Sequence, residues 1–247
     1  MAQIRYLTAH LAQEIDARLM SPSDGAFSLD QLMELAGLAV AQALAASYAL
    51  PRYRRVLVCC GPGNQGGDGL VAARHLSHFG YAATLYMPKP GNKDIYKRLH
   101  KQCLNLSIPS LTSESDFHAS LSSQDVILDA IFGFSFLGPV RAPFSRILPA
   151  LRDARLPMVS VDIPSGWHVE DGPVLLQSEE GEDLGQALNP EVLVSLTAPK
   201  LGVRGYRGRH WLGGRFVPPT MAEEWKLNLP EYPGSAQIVE LPGPAGL

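Results

Sequence analysis

Short apolar runs alternate with helical stretches along most of this chain, and that alternation allows few folds. "RVLVCCG", "ATLYMPK", "QDVILDAIFG", "LPMVSVDIPSG" and "PEVLVSLTAPK" are each apolar over a few residues and end in turn-forming residues. Such runs read as strands buried on both faces. Between them, "GLVAARHLSHFG" and "KDIYKRLHKQCLNL" read as helices, and "APFSRILPALRDA" as a helical pattern interrupted by Pro149. Strands separated by helices imply an α/β fold with a largely parallel sheet covered on both faces, because a parallel return needs a crossover.

The amino-terminal part is helical. Leu7, Leu11, Ile15 and Leu19 recur every fourth residue as one amphipathic stripe. After the turn "SPSDG", Ser28 is placed to cap a long helix whose apolar face carries Leu29, Leu32, Met33, Ala36, Val40 and Leu44, ending before Pro51. "HWLGGRFVP" reads as a last strand or hairpin near the surface. Residues 171–190 are acidic and turn-rich, which suggests a surface loop, and the chain from Pro230 is rich in Pro and Gly, which suggests loose packing. The 247 residues suit a single domain, 1–247, with a core over about 4–235 and a loose tail over about 236–247.

Composition narrows the classes of function. A formal charge of −3 with no basic stripe argues against a nucleic-acid binder. No stretch approaches the roughly 20 apolar residues that span a bilayer, so membrane insertion is not expected. Glu14 and Asp16 come early and no apolar h-region precedes them, unlike a secretory signal. Cys59 and Cys60 sit inside a strand pattern, so a reducing compartment fits better than a disulfide framework. The expected location is cytoplasmic, with mitochondria as a second compartment.

The ends of the strands carry the chemistry. In an open parallel sheet, ligands bind in the crevice beyond the carboxyl ends of the strands. Here those ends are Gly61–Gly69, then Asp129 with "GFSFLG", Asp162 with "IPSG", and Thr197, Pro199 and Lys200. The stretch "CGPGNQGGDGLVAARH" puts glycines between a strand and a helix start, where backbone N–H groups attract anions. It lacks G-x-G-x-x-G spacing and any P-loop lysine, so it suits a polar or phosphorylated ligand other than ATP or an ordinary dinucleotide. A tight strand–helix turn explains it equally well. Asp129 at a strand end is either a ligand group or a cap for the next loop. Asp162, followed by a rigid proline turn and Ser165, reads as catalytic. Ser165, Asp129 and the side-chain oxygen of Gln65 form a set of hard oxygen donors suited to a weakly charged cation. The seven histidines show no metal-ligand spacing. His168 and Lys200 need no function, and Phe132 and Trp167 are ring-stacking or core residues. No G-x-S-x-G elbow is present, which argues against a serine hydrolase.

Together "VLVCCGPGNQGGDGLVAARHL", "LDAIFGFSF", "VDIPSGW", "LVSLTAPK" and "LGGRFVPP" resemble the NAD(P)H-hydrate epimerase family. Its fold is called the YjeF N-terminal domain, and its animal members are known as apolipoprotein A-I-binding protein. The resemblance runs over about residues 4–235. It implies a three-layer α/β/α Rossmann-like sandwich, a homodimer, and an isomerase interconverting the R and S epimers of hydrated NADH and NADPH (NADHX and NADPHX). A separate ATP-dependent dehydratase specific for S would then clear both epimers.

Carried over by motif, the substrate would meet Asn64, Gln65, Gly66, Gly67 and Asp68, then Gly133, Phe134, Ser135, Phe136, Leu137, Gly138 and Pro139, and Asp162. Gln65, Asp129 and Ser165 would surround a potassium ion. Gln65 stands where the family often has Asn, Pro139 where many members are acidic, and His168 where Asp is frequent. On this reading Asp162 is the general acid on the departing hydroxyl and then the base for returning water. Two rivals are a non-catalytic protein-binding module, of the apolipoprotein-binding or scaffold kind, and a nucleotide-dependent kinase or transferase. The intact carboxylates oppose the first, and the missing P-loop lysine opposes the second.

Overall fold

The computed structural model describes residues 3–243. From the amino end come α1 (Ala9–Met20), α2 (Leu29–Ser47), β1 (Arg55–Cys60), α3 (Asn64–His78), β2 (Ala82–Tyr86), α4 (Asp94–Asn105), β3 (Ser110–Leu111) and α5 (Glu114–Leu121). There follow β4 (Val126–Ala130), α6 (Phe144–Asp153), β5 (Met158–Val161), β6 (Leu175–Gln177), β7 (Asp183–Gln186) and β8 (Val192–Leu196). A 3-10 turn at Leu201–Val203, β9 (Arg209–Gly213), α7 (Pro219–Glu224) and β10 (Val239–Glu240) complete the order.

Eight strands form one sheet in the order β10-β9-β8-β5-β4-β1-β2-β3, and β6–β7 is a separate hairpin. Every neighbouring pair in the large sheet is parallel except β10 on β9. The chain winds outward from β1 to β3 and then returns to β4 on the other side of β1. That reversal splays the connecting loops and leaves a crevice at the carboxyl edge.

Strand alternation divides the core into layers. Val56 and Val58 of β1, Leu128 of β4 and Val161 of β5 pack with Val40, Leu44, Leu70, Leu76 and Leu99 of α2, α3 and α4. Leu57, Ile127 and Leu193 point the other way, toward Phe117 of α5 and Ile147, Leu148 and Leu151 of α6. Burying each such side chain contributes about 1.5–3 kcal/mol, so two apolar strand faces require two helical layers. The result is the three-layer α/β/α fold. A third cluster, with Leu7, Ile15, Leu19, Leu32, Met221, Trp225 and Leu227, seats α1 and α7 across one end.

The Ser28 cap forms as expected: its hydroxyl accepts from Gln31 N–H, and Gln31 reaches back to Ser28 N–H. Several local expectations are corrected. α3 starts at Asn64, so Gly66, Gly67 and Gly69 lie within the helix rather than in a loop before it, and only Gly61 and Gly63 precede it. A Cβ on Gly66 would lie 1.9 Å from the Gly61 carbonyl oxygen, one on Gly67 2.4 Å from Met33 Sδ, and one on Gly69 2.6 Å from Ala130 Cβ. Close packing on the sheet and on α2, not ligand approach, requires glycine at these positions. Pro149 lies within a continuous α6. The supposed loop 171–190 holds the β6–β7 hairpin, which buries Leu176 and Leu184. The tail read as loose contributes β10, and Ile238 and Leu241 are buried; residues 244–247 lie outside the described residues. α5, α7 and the two-residue β3 are short elements that the sequence does not announce with an apolar period.

Candidate active site

The carboxyl ends of β1, β4, β5 and β8 open into one cavity of about 480 Å³. α3 supplies Asn64, Gln65 and Asp68; the segment after β4 supplies Ile131 to Phe136; Asp162, Thr197 and Lys200 follow β5 and β8. Gln13, Asp16 and Met20 of α1 and Phe216 form the remaining wall.

Asp162 and Thr197 stand one residue past two adjacent strands, and both have positive φ, 57° and 68°. A non-glycine residue held there costs about 1–3 kcal/mol, and such strain gathers at functional sites. The turn brings Asp162 Oδ1 to 2.5 Å from Lys200 Nζ and 3.0 Å from the Leu196 N–H, both donating to it. Lys200 also donates to the Leu196 carbonyl at 3.0 Å, and the Phe134 ring lies 5.7 Å from its Nζ. An ion pair this buried is costly to desolvate and weak evidence for stability alone.

The other two carboxylates around the cavity differ in kind. Burial pushes the Asp68 carboxyl well above its usual range, Asp162 and Asp16 add to this, and Lys200 opposes it. Burial also raises Asp16, against Lys200 and with Asp162, to about 6. Neither side chain has a hydrogen-bonding or ion-pairing partner among the described residues. α3 opens at Gly63, an N-cap with no side-chain cap, so its first N–H groups are free to meet an anion. Asn64 Oδ1 accepts from Tyr96 Oη at 2.6 Å.

Beneath the cavity floor lies the oxygen set suited to a cation. Asp129 is fully buried: Oδ1 accepts from Ser165 Oγ at 2.5 Å, and Oδ2 accepts from Ser160 Oγ at 2.7 Å and Ser165 N–H at 2.9 Å. Burial raises its pKa and these donors partly offset the rise. Gln65 Nε2 donates to the carbonyls of Phe132, Val161 and Ile163 at 2.6, 2.8 and 3.3 Å. Three carbonyls converging beside a carboxylate and a hydroxyl match a large monovalent cation in donor type. The amide nitrogen of Gln65 stands at the centre of those carbonyls.

Of the residues expected to meet substrate, Asn64, Gln65, Asp68, Gly133, Phe134, Ser135, Phe136 and Asp162 line this cavity. Gly66 and Gly67 are buried on the inward side of α3 and do not. Leu137, Gly138 and Pro139 line a neighbouring hollow of about 700 Å³ under the β6–β7 hairpin, with Phe136 shared between the two. His168 lies in that hollow, its Nδ1 accepting from Asp171 N–H at 3.1 Å. Asp162 Oδ1 already accepts from an ammonium and an amide, so the general-acid role read for Asp162 falls to Oδ2, which has no hydrogen-bond partner among the described residues. Asp16, Met20 and Phe216 were missed. For Asp16 and Met20 the only signal is helical phase: positions 13, 16 and 20 of α1 share one stripe beside the buried 12, 15 and 19. Phe216 lies between β9 and α7 and has no such signal.

A strained ion pair, free N–H groups at a helix start and a mixed polar and aromatic wall at the carboxyl edge of a parallel sheet define an α/β protein built to hold a small polar molecule. The family described as YjeF-related protein N-terminus matches residues 29–202. This chain belongs to that family. A protein of Cryptococcus neoformans named NAD(P)H-hydrate epimerase is 58% identical over 245 residues, covering 97% of this chain and 98% of its own. One of the same name from Puccinia graminis is 55% identical over 236 residues, covering 96% and 93%. The crystal structure of the yeast protein YNL200c superposes with a TM-score of 0.88 at 40% identity, over 96% of this chain and 100% of that one.

Proposed function

We propose that this chain is an NAD(P)H-hydrate epimerase, an isomerase that interconverts the R and S forms of NADHX and NADPHX. The observation that carries the reading is the buried Asp162–Lys200 pair at two strained strand ends, in a chain 58% identical to a protein of that name. In the substrate, the hydrated ring carbon bears a hydroxyl beside the ring nitrogen. When the hydroxyl is protonated it leaves as water, the nitrogen lone pair forms a C=N bond, and the ring becomes a flat cation. Water returning to the other face inverts the centre. Asp162, its Oδ1 held by Lys200 and Leu196, serves as the fixed negative charge beside that cation. A preorganised group of this kind acts without reorganising during the reaction.

On this reading the pyrophosphate lies at the start of α3, and Asn64, Gln65, Asp68, Phe134 and Phe136 contact the substrate. Asp129, Ser165 and the carbonyls of Phe132, Val161 and Ile163 would hold potassium, with Gln65 turning its Oε1 inward. The ion would supply positive charge near the phosphates and order the crossing loops. A homodimer, coupling to an S-specific ATP-dependent dehydratase, and a cytoplasmic location with mitochondria second are further parts of the proposal, supported by the family resemblance. A pure binding module is less well supported, since docking a protein partner gives no use for a strained ion pair inside a cavity.

The test mixes the protein with R-NADHX and an S-specific dehydratase. R-NADHX should vanish much faster than it epimerises unaided, and no acceleration would reject the assignment. Asp162→Asn should remove most of that acceleration while the fold persists.

A further inference from the structure

We propose that Asp16 of α1 is the proton donor and acceptor of this epimerisation, working opposite the Asp162–Lys200 pair. The inference rests on the epimerase reading and adds to it a catalytic group from a helix outside the sheet.

Position is the first support. Ala12, Ile15 and Leu19 of α1 are buried in the cluster that seats the helix, and the adjacent stripe, Gln13, Asp16 and Met20, walls the cavity. Asp16 is the one ionisable side chain of that stripe. α1 is also tied to the loop that carries Lys200: Leu7 N–H donates to the Pro199 carbonyl and Leu201 N–H to the Leu7 carbonyl, both at 2.8 Å. Asp16 and Lys200 thus sit in one frame.

The second support is a division of roles. Asp162 Oδ1 is taken up by Lys200 and the Leu196 N–H. The Asp16 carboxyl has no partner among the described residues, so its proton is free to move. Facing it are Lys200 from the β8 end, Asp162 from the β5 end and Asp68 from α3. Arg18 on α1 itself is engaged by Glu224 of α7 and by Asp24. Three carboxylates against one lysine, with a pyrophosphate entering, disfavour full ionisation and favour keeping a proton in the cavity. Burial brings Asp16 to about 6, where one group can both give and take a proton, whereas Asp68, pushed well up, is the weaker acid. Carboxyl groups whose surroundings set them apart commonly divide acid and electrostatic roles.

The step balances. The Asp16 carboxyl gives its proton to the ring hydroxyl, the C–O bond breaks with its electron pair leaving in water, and the nitrogen lone pair forms C=N. Water then adds to the opposite face, its oxygen lone pair forming the new C–O bond. The C=N electrons return to nitrogen, and the lost proton goes back to the Asp16 carboxylate. No oxidant or second substrate is consumed.

The experiment uses the full chain with R-NADHX, which carries no phosphate titrating near neutrality, and an S-specific dehydratase as reporter. Asp16→Asn should lower kcat by about 100-fold or more, within the range of positioned acid–base catalysis, with KM little changed. Asp16→Glu should restore part of it. After subtraction of the spontaneous reaction, wild-type kcat/KM should fall as pH rises past about 6, and this limb should vanish in Asp16→Asn. A near wild-type kcat in Asp16→Asn, or survival of the limb there, overturns the proposal. Should Asp16→Asn fail to fold, absence of the limb in the wild-type profile overturns it. An inactive wild type would sink the epimerase reading and this inference with it, whereas active wild type with active Asp16→Asn sinks only this one.

Discussion

Lys200 Nζ lies 2.5 Å from Asp162 Oδ1, with the two side chains 4% and 7% exposed, although 38 residues of sequence separate them. The pair exists because β5 and β8 are adjacent and parallel, so their carboxyl ends deliver both groups to the same place.

Lys200→Met leaves Asp162 buried without its counter-charge. Breaking such a pair from one side costs about 3–5 kcal/mol, and urea denaturation should show a loss of that size. Lys200→Met combined with Asp162→Asn should recover much of it. A single-variant loss below about 1 kcal/mol would mean that water reaches the pair freely, as at an exposed ion pair.

The glycines of α3 give a second prediction. In Gly66→Ala the new Cβ would fall 1.9 Å from the Gly61 carbonyl oxygen, a backbone atom that cannot swing aside. A destabilisation of at least about 1–3 kcal/mol is expected from such overpacking. Gly63→Ala, with nothing within 4 Å of its new methyl, should cost less than about 1 kcal/mol. Equal effects at both positions would contradict the close-packing explanation.

Gln65 governs the third. Its amide nitrogen reaches three carbonyls. In Gln65→Ala the Val161 carbonyl keeps the Ile163 N–H, and the Phe132 carbonyl keeps only the Ser165 hydroxyl at 3.5 Å. A cost of about 1–3 kcal/mol is therefore expected from the donor lost to the others. The proposed potassium site would lose the Oε1 donor as well. Potassium chloride, compared with choline chloride at equal ionic strength, should therefore raise the melting temperature of wild type more than that of Gln65→Ala, as any ligand of the native state does. A potassium effect equal in both proteins would show that Oε1 does not ligate the ion.

The fourth concerns stability against pH. Folding raises Asp16 from 3.8 to about 6, so between those values the native chain binds more protons than the unfolded one. Asp16 therefore contributes stability that is present at the acid end of this window and is lost as pH rises through it. Asp16→Asn lacks that dependence. Its stability relative to wild type should improve steadily from about pH 4 to about pH 6 and then level off, as read by urea midpoints. Parallel curves would show that Asp16 is not desolvated.

Much of the fold was legible because apolar period and punctuation are local. The runs around Val56, Ile127, Val159 and Val192 announced buried strands, and Ser28 announced its helix. The start of α3 was not legible, because Gly66, Gly67 and Gly69 carry no hydrophobic signal and their reason lies in Gly61, Met33 and Ala130 across the fold. The β6–β7 hairpin was hidden for a related cause: only Leu176 and Leu184 face inward, amid acidic turn residues.

The candidate site divides the same way. Sequence alone determined the sheet, its carboxyl edge and the loops that meet there, since each strand and its following turn are contiguous in the chain. The tertiary structure decided which oxygens are free. It alone paired Asp162 with Lys200, set the Gln65 amide among three carbonyls, and swung α1 over the edge so that Asp16 faces the cavity. Hydrogen bonding and desolvation depend on what lies within a few ångströms, and for these residues the neighbours are far away in sequence.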